Sequence, residues 1–185
     1  MQFSTIIYVK NQEVDNLRKE ISEKFNTKQS IQQWGLHITI GSGIEVSEEE
    51  LESLRKELKE VANNFESFKV SLKDFGYMDT WEGLPNAEPY VAYMDVLMND
   101  NLKNFHEKVE KILGKYNKWY EVKEYIPHLT LAYDDLTKEN FEKIKIFLKD
   151  YKGMQFEFIV DSFSLALHAG RYDERKEYIK FNLKK

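Results

Sequence analysis

The sequence predicts an α+β fold assembled from two similar halves, and three observations lead to it. Short segments that alternate apolar and polar residues are interleaved with longer ones whose apolar residues recur every three to four positions. The order strand, helix, histidine-bearing strand, helix, strand runs twice, the second time from residue 90 onward. Each half also carries a His-x-Thr triplet in its corresponding strand.

Taken in order, period-2 character appears at 3–9, 34–41, 68–75, 90–97, 127–133, 155–168 and 177–184. Between these lie four helical stripes. The first runs through Val14, Leu17, Ile21 and Phe25, the second through Leu51, Leu54, Leu58, Val61 and Phe65. The third runs through Leu102, Phe105, Val109, Ile112 and Leu113, and the fourth through Phe141, Ile144 and Leu148. Ser47 followed by Glu50 is a capping-box start for the second helix. Gly153, just past the fourth, is a stop signal. From Phe3 to His37 is 34 residues and from Val91 to His128 is 37, so the repeat lies in the pattern, not in side-chain identity. "MDTWEGLPNAEP", residues 78–89, reads as the connection between halves. The expected organisation is one domain over 1–185, made of two pseudo-repeat lobes at about 1–77 and 90–185 with terminal strands free to exchange.

Composition narrows the chemistry. An apolar fraction of 42% suffices for a core, and the absence of cysteine removes disulfides, thiolate nucleophiles and cysteine-ligated zinc. Net charge is −5, from 27 basic and 32 acidic residues with no long basic block. Coating long duplex nucleic acid calls for a basic face, so the expected partner is a nucleotide or a short RNA. "MQFSTIIYVKN" reads as a first strand rather than a signal peptide, and no apolar run is long enough to span a bilayer. A cytoplasmic monomer, away from membranes, is the expectation.

The chemistry centres on "WGLHITIGSG" and "IPHLTLAY". In a strand, residues i and i+2 share a face, so His37 and Thr39 project together, as do His128 and Thr130. With 4 histidines in 185 residues, a shuffled chain would rarely hold even one His-x-Thr triplet flanked by apolar residues. If the half-sheets face each other, one imidazole can take a proton from an attacking hydroxyl while the other protonates a leaving oxygen. The threonine hydroxyls can hydrogen-bond non-bridging phosphate oxygens. A zinc site is the competing reading, but no His or carboxylate near either motif repeats with ligand spacing. Neither metal nor other cofactor is expected.

Paired His-Φ-Thr-Φ motifs, one per half of such a chain, resemble those of the two-histidine phosphoesterase superfamily. That group includes 2′-5′ RNA ligases and RNA 2′,3′-cyclic phosphodiesterases. The closing segment "FIVDSFSLALHAGRYDERKEYIKFNL" is similar to the superfamily's last strand pair. The resemblance implies a duplicated bilobal architecture, two antiparallel sheets flanking a central cleft with helices on the outside. It implies His37 and His128 as the acid/base pair and Thr39 and Thr130 as phosphate binders. The implied activity is hydrolysis of 2′,3′-cyclic or 2′,5′-linked phosphates of RNA ends, short oligonucleotides or small nucleotides. Reversible 2′-5′ ligation and a nucleotide-binding module with little turnover are the alternatives. No basic cluster surrounds the first motif, which suits a short substrate.

Further candidates for substrate contact are Trp34, Tyr77 and Trp81, as stacking surfaces for a base, and His168, Arg171, Tyr172 and Lys180 in the closing hairpin. His106, at the edge of a helical stripe, reads as structural. Gly41 to Gly43 reads as a turn, and alternation points Tyr133 away from His128.

Overall fold

The alternating segments pair both with neighbours in the chain and with segments far away in sequence, and together they build one curled antiparallel sheet covered by helices on one face. The structure is a computed structural model that describes residues 1–28, 35–81, 88–116, 124–167 and 176–185. In chain order its elements are β1 (Gln2–Tyr8), α1 (Gln12–Phe25), β2 (His37–Glu45), α2 (Glu48–Asn64), β3 (Phe68–Met78) and β4 (Glu88–Leu97). There follow α3 (Asp100–Leu113), β5 (His128–Asp134), α4 (Lys138–Phe147), β6 (Gln155–Val160), β7 (Ser162–Leu167) and β8 (Lys176–Asn182). Among the described residues no helix is long and apolar enough to cross a membrane.

The helices form where caps and stripes dictate. Asn11, Ser47, Asn99 and Thr137 each accept a backbone N–H of the first turn, and Ser47 with Glu50 completes the capping box. Their buried stripes, such as Val14, Leu17 and Ile21 of α1 and Leu102, Phe105 and Val109 of α3, enter one core with the strands.

The strand order is β6-β3-β4-β5-β2-β1-β7-β8, with antiparallel pairing throughout. The two expected sheets are therefore two four-stranded halves fused edge to edge. The fusion is narrow: β2 and β5 register through Ile38 opposite Leu129. Ile38, Ile40, Leu129 and Leu131 point into the helix-covered core. The intervening residues His37, Thr39, His128 and Thr130 are half-buried and alternate with them, on the opposite face of the sheet.

The chain departs from the expected pattern in two places. The segment 155–168 is two strands on different halves of the sheet, β6 beside β3 and β7 beside β1. The cause is legible in the spacing. Val160 and Phe163 both face the core, so alternation slips by one residue across Asp161. Gly41 to Gly43 is not a turn, because β2 runs through it to Glu45. The glycines are needed for other reasons. Gly43 adopts φ 73°, and a side chain on Gly41 would overlap Leu113 and Glu110 of α3.

Candidate active site

The Ile38–Leu129 pair sets the geometry of the motif face. Continuing its antiparallel register by one residue each way places His37 opposite Thr130 and Thr39 opposite His128. The four motif side chains thus share one patch, with the histidines on one diagonal and the threonines on the other. The neighbouring strands extend it. Tyr8 lies opposite His37 and Ile6 opposite Thr39 on β1, while Asp95 lies opposite His128 and Tyr93 opposite Thr130 on β4.

Both imidazoles are held in the same way. His37 Nδ1 donates to the carbonyl of Gly35 and His128 Nδ1 to that of Ile126, each at 2.8 Å. A carbonyl can only accept, so Nδ1 carries the hydrogen in both rings. In the neutral imidazole the lone pair is then on Nε2, which becomes the atom that takes up a proton. Each histidine uses the carbonyl two residues before it, so the arrangement belongs to the motif itself.

The surroundings of the second motif are the tighter. The Tyr93 ring centroid lies 5.1 Å from that of His128, and the Tyr93 ring occupies the space over Gly76 that any larger residue would fill. Burial pushes the His128 imidazole below the usual histidine range, partly opposed by the Ile126 carbonyl and the Asp95 charge. Asp95 is raised by burial and by Asp74, and drawn down by His128. Tyr93 is raised, chiefly by burial and then by Asp95.

Behind the first motif, the Tyr125 hydroxyl donates to the Thr39 carbonyl at 2.9 Å, and His106 Nδ1 donates to the Ile40 carbonyl at 2.7 Å. The two rings stack with centroids 3.6 Å apart. His106 is the structural residue its helical position suggested, tying α3 to β2. Among the described residues, no group of three or more His, Cys, Asp or Glu is arranged to hold a metal ion.

The remaining candidates divide by position. Tyr77 packs edge-on against Phe141 of α4, on the helix-covered face. Trp81 meets Tyr133 edge-to-face with centroids 5.6 Å apart. Leu131 and Ala132 both enter the core where the β4–β5 register slips, so Tyr133 returns to the motif face rather than pointing away from it. Lys180, opposite Ser164, is exposed on the edge strand. Trp34, His168, Arg171 and Tyr172 lie outside the described residues. Asp95, Tyr93 and Tyr125 were not singled out by motif. For Asp95 a signal existed, a carboxylate interrupting the apolar run "YVAYMDVL".

A family model described as the 2′-5′ RNA ligase superfamily matches residues 9–171. Among solved structures, the chain is similar to Escherichia coli LigT complexed with 3′-AMP, at 15% identity and TM-score 0.67, covering 100% of this chain and 98% of that one. It is also similar to TT0787 of Thermus thermophilus, at 20% identity and TM-score 0.60 over 99% and 98% of the two chains. A third likeness is Kluyveromyces marxianus Usb1, at 11% identity and TM-score 0.51 over 98% and 97%. No curated protein sequence matches the chain significantly.

Proposed function

The chain belongs to the 2′-5′ RNA ligase superfamily of two-histidine phosphoesterases, and from that premise we propose that it is a phosphodiesterase opening 2′,3′-cyclic or 2′,5′-linked phosphates by paired histidine acid-base catalysis. Its substrates are RNA ends, short oligonucleotides or small nucleotides, consistent with a net charge of −5 and no long basic block. The observation that carries this reading is the diagonal arrangement of His37, Thr39, His128 and Thr130 about the Ile38–Leu129 join.

The chemistry follows from that patch. As water's oxygen bonds to phosphorus, one Nε2 takes its proton. The phosphorus bond to the 2′- or 3′-oxygen breaks, and the other histidine, protonated, gives its proton to that oxygen. The products are a phosphomonoester and a free hydroxyl, and exchange with solvent resets the two rings. Thr39 and Thr130, on the opposite diagonal, donate to the non-bridging oxygens whose charge grows in the transition state. The scheme needs proton transfer and hydrogen bonding only, and so runs without a metal. LigT was crystallised with 3′-AMP, the monoester left when the 2′-oxygen bond of an adenosine 2′,3′-cyclic phosphate opens, which supports a nucleotide substrate here.

A substrate panel tests the reading: 2′,3′-cyclic mononucleotides, RNA with a 2′,3′-cyclic end and 2′,5′-linked oligonucleotides, each with and without chelator. Chelator-resistant release of a phosphomonoester is expected. Tight nucleotide binding with no product would favour a binding module, and a joined product on adding a 5′-hydroxyl RNA would show ligation by the same groups.

A further inference from the structure

The second motif's row of side chains continues past His128. Exposure alternates through the approach to β5: Pro127 and Leu129 are buried, whereas Ile126, His128 and Thr130 lie toward the other face. Ile126 therefore stands one step beyond His128, about 7 Å further along at the rise of a strand. The register of β4 with β5 sets Tyr93 opposite Thr130 and Asp95 opposite His128, and its continuation sets Leu97 opposite Ile126. Both side chains are large, apolar and close to half exposed, Ile126 at 49% and Leu97 at 46%. One exposed aliphatic residue is ordinary. Two side by side against a candidate catalytic patch, rimmed by polar groups, have the character of a binding surface.

Ile126 is held from both sides. Its carbonyl accepts from His128 Nδ1 at 2.8 Å, and Pro127 after it confines its backbone to extended conformations. Tyr125 before it is fixed by the hydroxyl bond to the Thr39 carbonyl. The rim is polar. Asp95 adjoins the pair on β4, and across β3 Leu97 faces Ser71, whose hydroxyl donates to Glu157 at 2.9 Å. Glu157 also pairs with Lys69. The first half has no matching shelf. Past His37 the corresponding places are Gly35 and, by continuation of the Val9–Leu36 backbone bond, the exposed Lys10. The four motif residues are thus near-symmetric while the ends of their patch are not, being apolar at Ile126 and Leu97 and cationic at Lys10.

We propose that Ile126 and Leu97 are specificity-determining residues that carry the nucleobase of the substrate while its phosphate occupies the patch of His37, Thr39, His128 and Thr130. The proposal rests on the phosphodiesterase reading above. Its occupant is a flat, uncharged ring, because aliphatic side chains gain by being covered and the carboxyl groups of Asp95 and Glu157 disfavour a second phosphate there. The shelf begins one step from His128, so a base and the phosphate of the same nucleotide can be held together. The anionic remainder of an RNA chain then leaves toward Lys10.

The test compares adenosine 2′,3′-cyclic phosphate with ribose 2,3-cyclic phosphate, which lacks the base, in the wild type, Ile126→Ser, Leu97→Ser and the apolar control Ile126→Leu. Binding of 3′-AMP and of ribose 3-phosphate is measured beside it by calorimetry. The wild type should favour the base-bearing substrate in kcat/KM. Each serine variant should raise KM for that substrate roughly ten-fold, the scale set by uncovering part of an aliphatic side chain. Its kcat should hold, its values on the base-free substrate should not move, and Ile126→Leu should behave as wild type. Equal losses on both substrates would make the two residues supports for His128 and overturn the proposal, as would unchanged kinetics in both serine variants. A concentration-dependent dimer in sedimentation, abolished by Ile126→Ser, would assign the shelf to a second copy of the chain and overturn it too. A wild-type protein inert on both cyclic phosphates would instead overturn the phosphodiesterase reading. Binding then still decides the shelf: weaker 3′-AMP binding in the serine variants with ribose 3-phosphate unchanged supports it, and unchanged 3′-AMP binding overturns it.

Discussion

Ile38 and Leu129 face each other beneath the motif patch, fully buried, and are the registered pair through which β2 and β5 meet among the described residues. Among the described residues this is the one registered pair between β2 and β5, so it helps to set how the histidines stand relative to one another. Truncating either residue leaves a cavity at the join. Ile38→Ala or Leu129→Ala should each cost about 2–5 kcal/mol, read by chemical denaturation. The two should couple in a double-mutant cycle because their side chains share a site. Turnover should drop in both even at temperatures where each protein remains folded.

The four motif residues lead to a second prediction. His37→Ala and His128→Ala should each lower kcat by about 10²–10⁴-fold without loss of the cooperative unfolding transition. Thr39→Val and Thr130→Val keep shape and remove the hydroxyl, so they should lower kcat/KM with the same fold. Combining the two histidine changes should cost far less than the product of the separate effects, because the rings act as a unit. Steady-state kinetics on a cyclic-ended RNA decides this, and full activity in either histidine variant would sink the mechanism.

Much of the site was legible in the sequence, for physical reasons. Period-2 alternation is local, so His37 with Thr39 and His128 with Thr130 could be placed on common faces without knowing any partner strand. Their convergence depended on β2 meeting β5, a contact spanning 91 residues that no local pattern encodes. The same limit hid the flanking residues: Asp95 is adjacent to His128 only because β4 pairs with β5. Tyr133 was misdirected by the assumption of unbroken alternation, which the register slip at Leu131 and Ala132 violates. The Asp161 slip, by contrast, was in the spacing of Val160 and Phe163 and could have divided β6 from β7 from sequence alone.

Stability should depend on pH through two histidines. Burial lowers the folded-state pKa of both His106 and His128 below the ordinary value of 6.5. As pH falls through about 6.5 the unfolded chain takes up protons that the native rings resist, so it binds more protons than the native state and stability declines. The contribution is intact above that pH and is lost as pH drops toward the lowered folded values. Urea midpoints at pH 8 and pH 5.5 should show the loss. His106→Gln should flatten the dependence, and an equally steep loss in that variant would exclude His106 as a source.

The Tyr125 hydroxyl anchors the backbone of the first motif through the Thr39 carbonyl. Tyr125→Phe should preserve the stack on His106 while removing one hydrogen bond, at a cost of about 1 kcal/mol. Because the lost partner is the backbone of Thr39, which the proposed mechanism assigns to the phosphate, kcat/KM should fall by more than the stability change alone predicts at a temperature where the protein is fully folded. A drop in stability with unchanged kinetics would make the contact purely structural.

Gly76 and Tyr93 provide the last test, because they connect packing to the second motif directly. A side chain at Gly76 would overlap the Tyr93 ring, which is 8% exposed and has little room to retreat. Gly76→Ala therefore forces the ring toward its neighbours, and the His128 imidazole, 5.1 Å away centroid to centroid, is among them. The substitution should destabilise by about 1–3 kcal/mol through overpacking and, if the proposed mechanism holds, also reduce kcat by displacing the His128 imidazole. Tyr93→Leu in the Gly76→Ala background shortens the clashing side chain and should recover stability. Recovery of kcat along with it would trace the defect to ring position, whereas stability restored without activity would show that Tyr93 itself serves the reaction.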